Sequence, residues 1–261
     1  MKVGIQISSV RKYLQTPEDV TRSFLKCAEI GYKYIQIQWV GENVTMQEIK
    51  NSLDVSGLVC IGTQEMFDTV NNDPESFIKM NDLWGSEYIT ASRIHDRFRT
   101  PEGCLRLADE MNKLAANFKT HGKKLLFHPV AADYEQCGGK PLVDILMENT
   151  APEIHYCLDI YHVYKAGLDP TARIKTLKGN LELVHFKDSG APPGGNLNDI
   201  FSKLTPVGQG VIDWPPIISA CVDSGVRYCF AEQEEWDKDP FECLRESYEY
   251  IEKGITGNEL H

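Results

Sequence analysis

The feature that most restricts this chain is a regular exchange of short apolar runs with longer amphipathic stretches. Residues 3–7, 34–40, 58–62, 88–91, 124–128, 154–159, 181–187 and 227–232 read as strands. Helical patterns over 17–30, 45–53, 74–83, 101–120, 141–147, an interval after Asp169, 215–224 and 240–253 follow them in turn. The punctuation agrees: Thr16 and Pro17 suit an N-cap and a first helical turn, and Gly31 suits a helix stop. Strand–helix alternation implies a parallel sheet, because a crossover helix returns the chain to the same end. Eight such units predict a closed (β/α)8 TIM barrel, and a length of 261 residues suits one. No glycine-rich phosphate turn follows the first strand, which disfavours an open, doubly wound sheet. No Pro/Ser/Gly-rich linker divides the chain, so a single domain over 1–261 is expected, with the Gly/Pro/Asn patch at 190–196 as a loop over the mouth.

Charge narrows the partners. The net charge of −11 and the pI near 5.1 argue against nucleic acid, whose binding is driven by basic surface. A neutral sugar or polyol meets no such objection. The longest apolar runs, such as 124–127, are far too short to cross a bilayer, and the opening residues read as a strand rather than a signal peptide. The eight cysteines form no C-x-x-C pair, and Cys60, Cys157 and Cys229 lie in apolar runs as buried thiols would. A reducing, cytoplasmic setting with no membrane partner is the expectation.

In a βα barrel the C-terminal ends of the strands face the active-site mouth. The fifth predicted strand ends in His128 and the sixth in Asp159; His185 lies near the end of the seventh, and the eighth ends in Glu232. One strand-end His or Asp is more often a cap or a structural hydrogen-bonding group. Four on adjacent strands point to a metal site. Mixed imidazole and carboxylate ligands suit one divalent ion: Mn2+ is placed first, with Co2+, Fe2+, Mg2+ and Zn2+ as alternatives. Such an ion polarises a carbonyl or paired hydroxyls and stabilises a developing enediolate.

The sequence also resembles the sugar phosphate isomerase/epimerase family of xylose isomerase-like barrels. Leu158-Asp159-Ile160-Tyr161-His162-Val163 with Ala166-Gly167-Leu168-Asp169-Pro170 is similar to its "LDxYHV…AGxDP" signature. His185-Phe186-Lys187-Asp188, the 208–214 stretch GQGVIDW and Glu232-Gln233-Glu234 match its "HxKD", "GxGxxDW" and "EQDE" elements. The resemblance implies metal ligands at Asp159, His185 and Glu232. At the fifth strand relatives carry a glutamate where this chain has His128; either His128 or Glu135 takes that place. In the family's epimerases, paired glutamates act as acid and base, so His128 would leave proton transfer to Glu135, Glu234 or His162.

Other expectations concern the rest of the mouth. Lys187 could stabilise an oxyanion or simply pair with Asp188. Glu234 and Glu235 could be solvated loop charges. Gln6, Gln36, Arg93 and Trp236 are candidate substrate contacts; Arg93 alternatively pairs with Asp96, and Trp236 alternatively packs. The leading reading is a sugar isomerase or epimerase working through an enediolate, with Glu135, His162, Lys187 and Glu232 as catalytic candidates. A lyase or dehydratase on a keto sugar is its near rival. A catalytically inactive sugar-binding or partner subunit is a reading of another class, and a DNA-repair endonuclease on this barrel is disfavoured by the acidic charge. A homo-oligomer rests on the resemblance alone.

Overall fold

In the computed structural model, which describes residues 1–201 and 203–258, the alternation closes on itself. Strands β1 (Lys2–Gln6), β2 (Tyr34–Ile37), β3 (Val59–Met66), β4 (Tyr88–Ser92), β5 (Lys124–His128), β6 (His155–Asp159), β7 (Leu181–Phe186) and β8 (Tyr228–Ala231) pair in chain order, and β8 returns to β1. Every barrel pairing is parallel. The surrounding helices are α1 (Pro17–Ile30), α2 (Met46–Ser56), α3 (Phe67–Asn72), α4 (Pro74–Trp84) and α5 (Pro101–Thr120). They continue with α6 (Leu142–Met147), α7 (Ile160–Lys165), α8 (Pro170–Thr176), α9 (Trp214–Asp223) and α10 (Pro240–Asn258).

Local chemistry sets these limits. Thr16 accepts the Asp19 N–H at 3.2 Å and caps α1, and Gly31 ends it with φ of 127°, a conformation open to glycine. Thr45 and Glu48 form a reciprocal capping box at α2. β2 stops at Ile37, short of the expected Val40, because Trp39 takes a left-handed φ of 55° and leaves the sheet. β3 runs past its expected end because its pairing with β4 continues to Met66 opposite Ser92. The short helices α3 and α7, a 3-10 segment at Ile7–Tyr13 and a two-residue ribbon joining Asp188–Ser189 to Leu204–Thr205 had no counterpart in the sequence pattern.

Two apolar layers hold the barrel. Tyr88, Leu126, Cys157, Leu183, Tyr228 and Phe230 fill its interior. Gly4 is what lets Phe230 in, since a Cβ there would lie 2.6 Å from the ring. Outward residues such as Ile35, Ile89, Phe127 and Val184 bury against Phe24, Leu107 and Phe118 of the helices. Strands covered on both faces account for the continuous apolar runs in the sequence. All eight cysteines are free, and no described helix is long and apolar enough to cross a membrane.

Two carboxylates brace the ends of the barrel. At the mouth, Asp188 accepts from the N–H groups of Ser189 (2.7 Å), Gly208 (2.9 Å), Gly210 (3.1 Å) and Ile212 (3.4 Å), and from Trp214 Nε1 (2.7 Å). The GQGVIDW motif is therefore a loop folded around one aspartate, and a Cβ at Gly210 would lie 2.2 Å from it. At the opposite end, Glu182 meets His155 at 3.2 Å, Lys124 at 3.6 Å and the Tyr88 hydroxyl at 3.1 Å. The His155 hydrogen bond, with Lys124 and Tyr88, overcomes burial and holds the Glu182 carboxyl down to about 2.

Asp188→Ala strands several buried donors and should cost about 3 kcal/mol or more in chemical unfolding; a loss below about 1 kcal/mol would contradict this role. For Glu182 the folded value lies below its ordinary 4.5. Its stabilisation is thus present above that value and lost as pH falls through about 2. The stability gap between wild type and Glu182→Gln should shrink across that window, and a gap independent of pH would refute the assignment.

Candidate metal centre

The ends of β5 to β8 deliver four side chains to one point. One ligand atom from each of His128, Asp159, His185 and Glu232 lies within 4.8 Å of the other three, and all four residues are buried. The register explains the convergence: His185 is level with Asp159 on one side and with Phe230 on the other, and Glu232 stands two residues above Phe230 on the same face. His128 Nε2, Asp159 Oδ2, His185 Nδ1 and Glu232 Oε2 are all buried without a hydrogen bond of acceptable geometry. Their contacts include one another and Lys187, His185 Nδ1 lying 3.0 Å from Glu232 Oε2, and four buried nitrogen and oxygen ligands facing one another fit a cation.

The remaining atoms of these side chains are held in place. Ser92 Oγ lies 3.0 Å from His128 Nδ1, and Gln36 Oε1 lies 2.6 Å from His185 Nε2. The Gln36 carbonyl can only accept, so it fixes a proton on Nε2, and Nδ1 is the nitrogen that faces the cluster. Cys157 Sγ sits 3.3 Å from the same Nε2. Asp159 Oδ1 accepts the His162 N–H at 3.1 Å and caps α7, which leaves Oδ2 for the cluster. Ser8 Oγ donates to Glu232 Oε1 at 3.2 Å. Outer partners of this kind are what a metal site requires.

Lys187 completes the charge pattern. Its Nζ lies 3.4 Å from Asp159 Oδ2, 3.3 Å from Glu232 Oε2 and 2.9 Å from Glu234 Oε1. Burial disfavours its charge, but Glu232, Glu234 and Asp159 outweigh it and hold the ammonium well above its usual range. Burial likewise opposes ionisation of Asp159, yet His162, Lys187 and His128 keep it well below the usual carboxylate range. Glu232 is depressed in the same manner: Lys187 and His185 overcome burial. Burial, with the Glu232 charge, instead pushes Glu234 up to about 8. His162 is driven by burial down to about 3 and is neutral, with Nδ1 unpartnered. For His185, burial disfavours the imidazolium but Cys157 and Glu232 prevail, so a metal would compete with a proton at Nδ1.

Several expectations need correction. Glu135 does not reach the cluster: the chain after β5 turns through a 3-10 segment at Ala131–Tyr134 and sends this side chain, 64% exposed, to Arg99 at 2.9 Å. His128 is the strand-five residue at the site. Lys187 does not pair with Asp188, which faces the GQGVIDW loop. Glu234 is no solvated loop charge but is buried beside Lys187, while Glu235 is half exposed against Arg11. Gln6 and Gln36 are near the cluster but are committed to supporting His185: Gln6 Nε2 donates to Gln36 Oε1 at 3.1 Å, and Gln36 Nε2 donates to Thr90 Oγ1 at 3.2 Å. Trp236 packs edge-on against Tyr13, under the Lys12 ammonium. Arg93 follows β4 with a left-handed φ of 66° and forms no ion pair with Asp96 among the described residues.

The comparisons with known proteins agree with this architecture. No curated protein sequence matches the chain at a significant level. A sugar phosphate isomerase/epimerase from Parabacteroides distasonis superposes with a TM-score of 0.80 at 16% identity, over 95% of this chain and 92% of that one. The IOLI protein, solved with a bound zinc atom, gives 0.73 at 14% identity over 99% of each chain. The probable 3-DHS dehydratase AsbF from Bacillus anthracis gives 0.70 at 16% identity, over 97% of this chain and 99% of that one. At such identities the likeness shows the fold alone. The model of the xylose isomerase-like TIM barrel family matches residues 24–253, and the chain belongs to that family.

Proposed function

We propose that this protein is a divalent-metal-dependent enzyme that moves a proton next to the carbonyl of a sugar or polyol-derived ketone, through an enediolate. The observation that carries the reading is the convergence of four buried ligand atoms, one each from His128, Asp159, His185 and Glu232, with proton-handling groups beside them. His128, Asp159, His185 and Glu232 would hold the ion, with Mn2+ first among the candidates. When bound, a divalent ion supplies Lewis-acid polarisation of the ketone and a counter-charge for the enediolate.

The chain's own groups divide the remaining work. Lys187, fixed as an ammonium beside Asp159, Glu232 and the Glu234 carboxyl, presents positive charge where an oxyanion develops. Glu234, with Oε1 engaged by Lys187 and Oε2 unpartnered, is the acid that returns a proton once the imidazole of His162, as base, has taken one from the substrate carbon. Neutral His162, with Nδ1 unpartnered, is the second titratable group within reach. Burial of all these groups excludes water, which would otherwise compete for the carbanion-like intermediate.

One observation favours a second reading, elimination. Around the cluster, β1, β2 and β4 and the 3-10 segment after β1 contribute the amides and hydroxyls of Gln6, Ser8, Gln36, Thr90 and Ser92, and the titratable groups His128, Asp159, His162, His185, Lys187, Glu232 and Glu234 come from the β5–β8 side. Epimerisation requires proton exchange on both faces of the substrate carbon. Isomerisation between neighbouring carbons, or removal of a proton followed by departure of a β-substituent, needs one face only.

The test is deuterium uptake from D2O by a panel of keto sugars and inososes, followed by NMR. Uptake should require metal, vanish with EDTA and return with Mn2+, and Asp159→Ala should not recover. Lys187→Met and Glu234→Gln should each lower the exchange rate by roughly 100-fold. Retention of all substituents identifies isomerisation, and loss of water or another group identifies elimination. Exchange that is equally fast without metal, or untouched by both substitutions, would sink the reading.

A further inference from the structure

Beside the mouth lies a groove of about 430 Å3, set between the ends of β2 and β3 and the helices α2 and α4. Trp39, Met46, Phe77 and Trp84 form its apolar walls, and Gln38 and Gln64 form a polar edge. Trp39 and Met46 are 36% and 37% exposed, large apolar side chains that the fold leaves in water. A volume of this size is that of a small-molecule site, which ranges over roughly 300–1,000 Å3.

The groove is joined to the candidate metal centre in two ways. Gln64 Nε2 donates to Gln38 Oε1 at 3.3 Å, and Gln64 Oε1 is buried with no hydrogen-bond partner. Strand alternation and the β2–β3 register place this pair one layer above Gln36, which holds His185, so the groove's polar edge is the rim of the mouth. The second link is Trp39. Its ring meets Phe201, on the segment that follows β7, edge-on at 6.2 Å. The Arg11 guanidinium lies 5.8 Å from Trp39 and 5.1 Å from Phe201, and it donates to the Glu234 carbonyl at 2.8 Å. The left-handed Trp39 backbone is strained for a residue with a side chain, as is common where a loop is shaped for a ligand.

We infer that the groove takes an apolar, aromatic-sized substituent of the substrate, while the sugar ring of the same molecule sits at the cluster. The inference rests on the proposed sugar chemistry and narrows it: the substrate is a glycoside, or similarly substituted sugar, whose ring carries a ketone, since the substituted anomeric carbon itself offers no carbonyl. A phosphate is the wrong occupant, because the groove's lining includes Glu42 and Glu65 and no lysine or arginine. The donor expected next to the apolar group, a ring hydroxyl or amide N–H, would satisfy the free Gln64 carbonyl.

The test compares matched p-nitrophenyl and methyl β-D-glycosides of glucose, galactose and xylose, with affinities read by calorimetry on metal-loaded wild type and Met46→Glu. Met46 opens α2, where an acidic residue suits the helix N-terminus, so the variant keeps the fold. At least one p-nitrophenyl glycoside should bind tenfold or more tightly than its methyl partner, and Met46→Glu should erase at least fivefold of that preference while leaving metal content unchanged. A preference below tenfold in every pair, or one that survives Met46→Glu intact, overturns the inference. Binding is read without turnover. Failure of the proton-transfer reading would therefore appear as absent deuterium uptake with the preference intact, and failure of the groove as a lost preference with uptake intact.

Discussion

The arrangement at the mouth depends on an electrostatic constraint. Asp159 and Glu232 are both buried, both ionised and within 4.8 Å of one another at their facing oxygens. Two such carboxylates repel strongly in a low-dielectric interior unless positive charge lies between or beside them. The Lys187 ammonium supplies part of it, and the facing nitrogens of His128 and His185 complete a set of donors suited to a divalent cation. The rest of the site serves this centre. Gln36 sets the tautomer of His185, Gln6 orients Gln36, and the N-terminus of α7 takes up the second oxygen of Asp159.

The same constraint separates the two carboxylates of the last strand's end. Glu232 faces the cations, which pull its carboxyl down, whereas burial and the Glu232 charge outweigh Lys187 and push Glu234 up. Two residues just past the end of β8 are thus shifted in opposite directions by their surroundings, a pattern that lets neighbouring carboxyls take different roles. The mouth is also chemically lopsided. The half built from β5 to β8 carries the clustered charge, and the half built from β1 to β4 carries amides and hydroxyls beside the cluster and, next to Gln38 and Gln64, a largely apolar groove that Glu42 and Glu65 also line.

What could be read from the sequence follows from what is local. Alternating apolar patterns, caps and helix stops are local, and they placed α1 and α5 to the residue and His128, Asp159, His185 and Glu232 at strand ends. What depends on distant contacts was hidden. Glu234 looked like one of a run of acidic loop residues, and its burial depends on Arg11, 223 positions away, grasping its carbonyl. Glu135 looked available, but the turn after β5 and Arg99 carry it outward. Asp188 stood beside Lys187 as an obvious ion-pair partner, yet adjacent residues on an extended chain face opposite ways, and Asp188 organises a loop twenty residues later. Gln36 was read as a substrate contact because nothing in its own neighbourhood pointed to His185, 149 positions on.

The central claim is that these four side chains form one metal shell, and X-ray absorption spectroscopy of protein loaded with a single equivalent of Mn2+ tests it most directly. The account predicts a nitrogen and oxygen shell at roughly 2.1 Å, with outer-shell scattering from two imidazoles that falls to one in His185→Ala. A spectrum without imidazole scattering, or one with a sulfur neighbour at about 2.3 Å from Cys157, would contradict it.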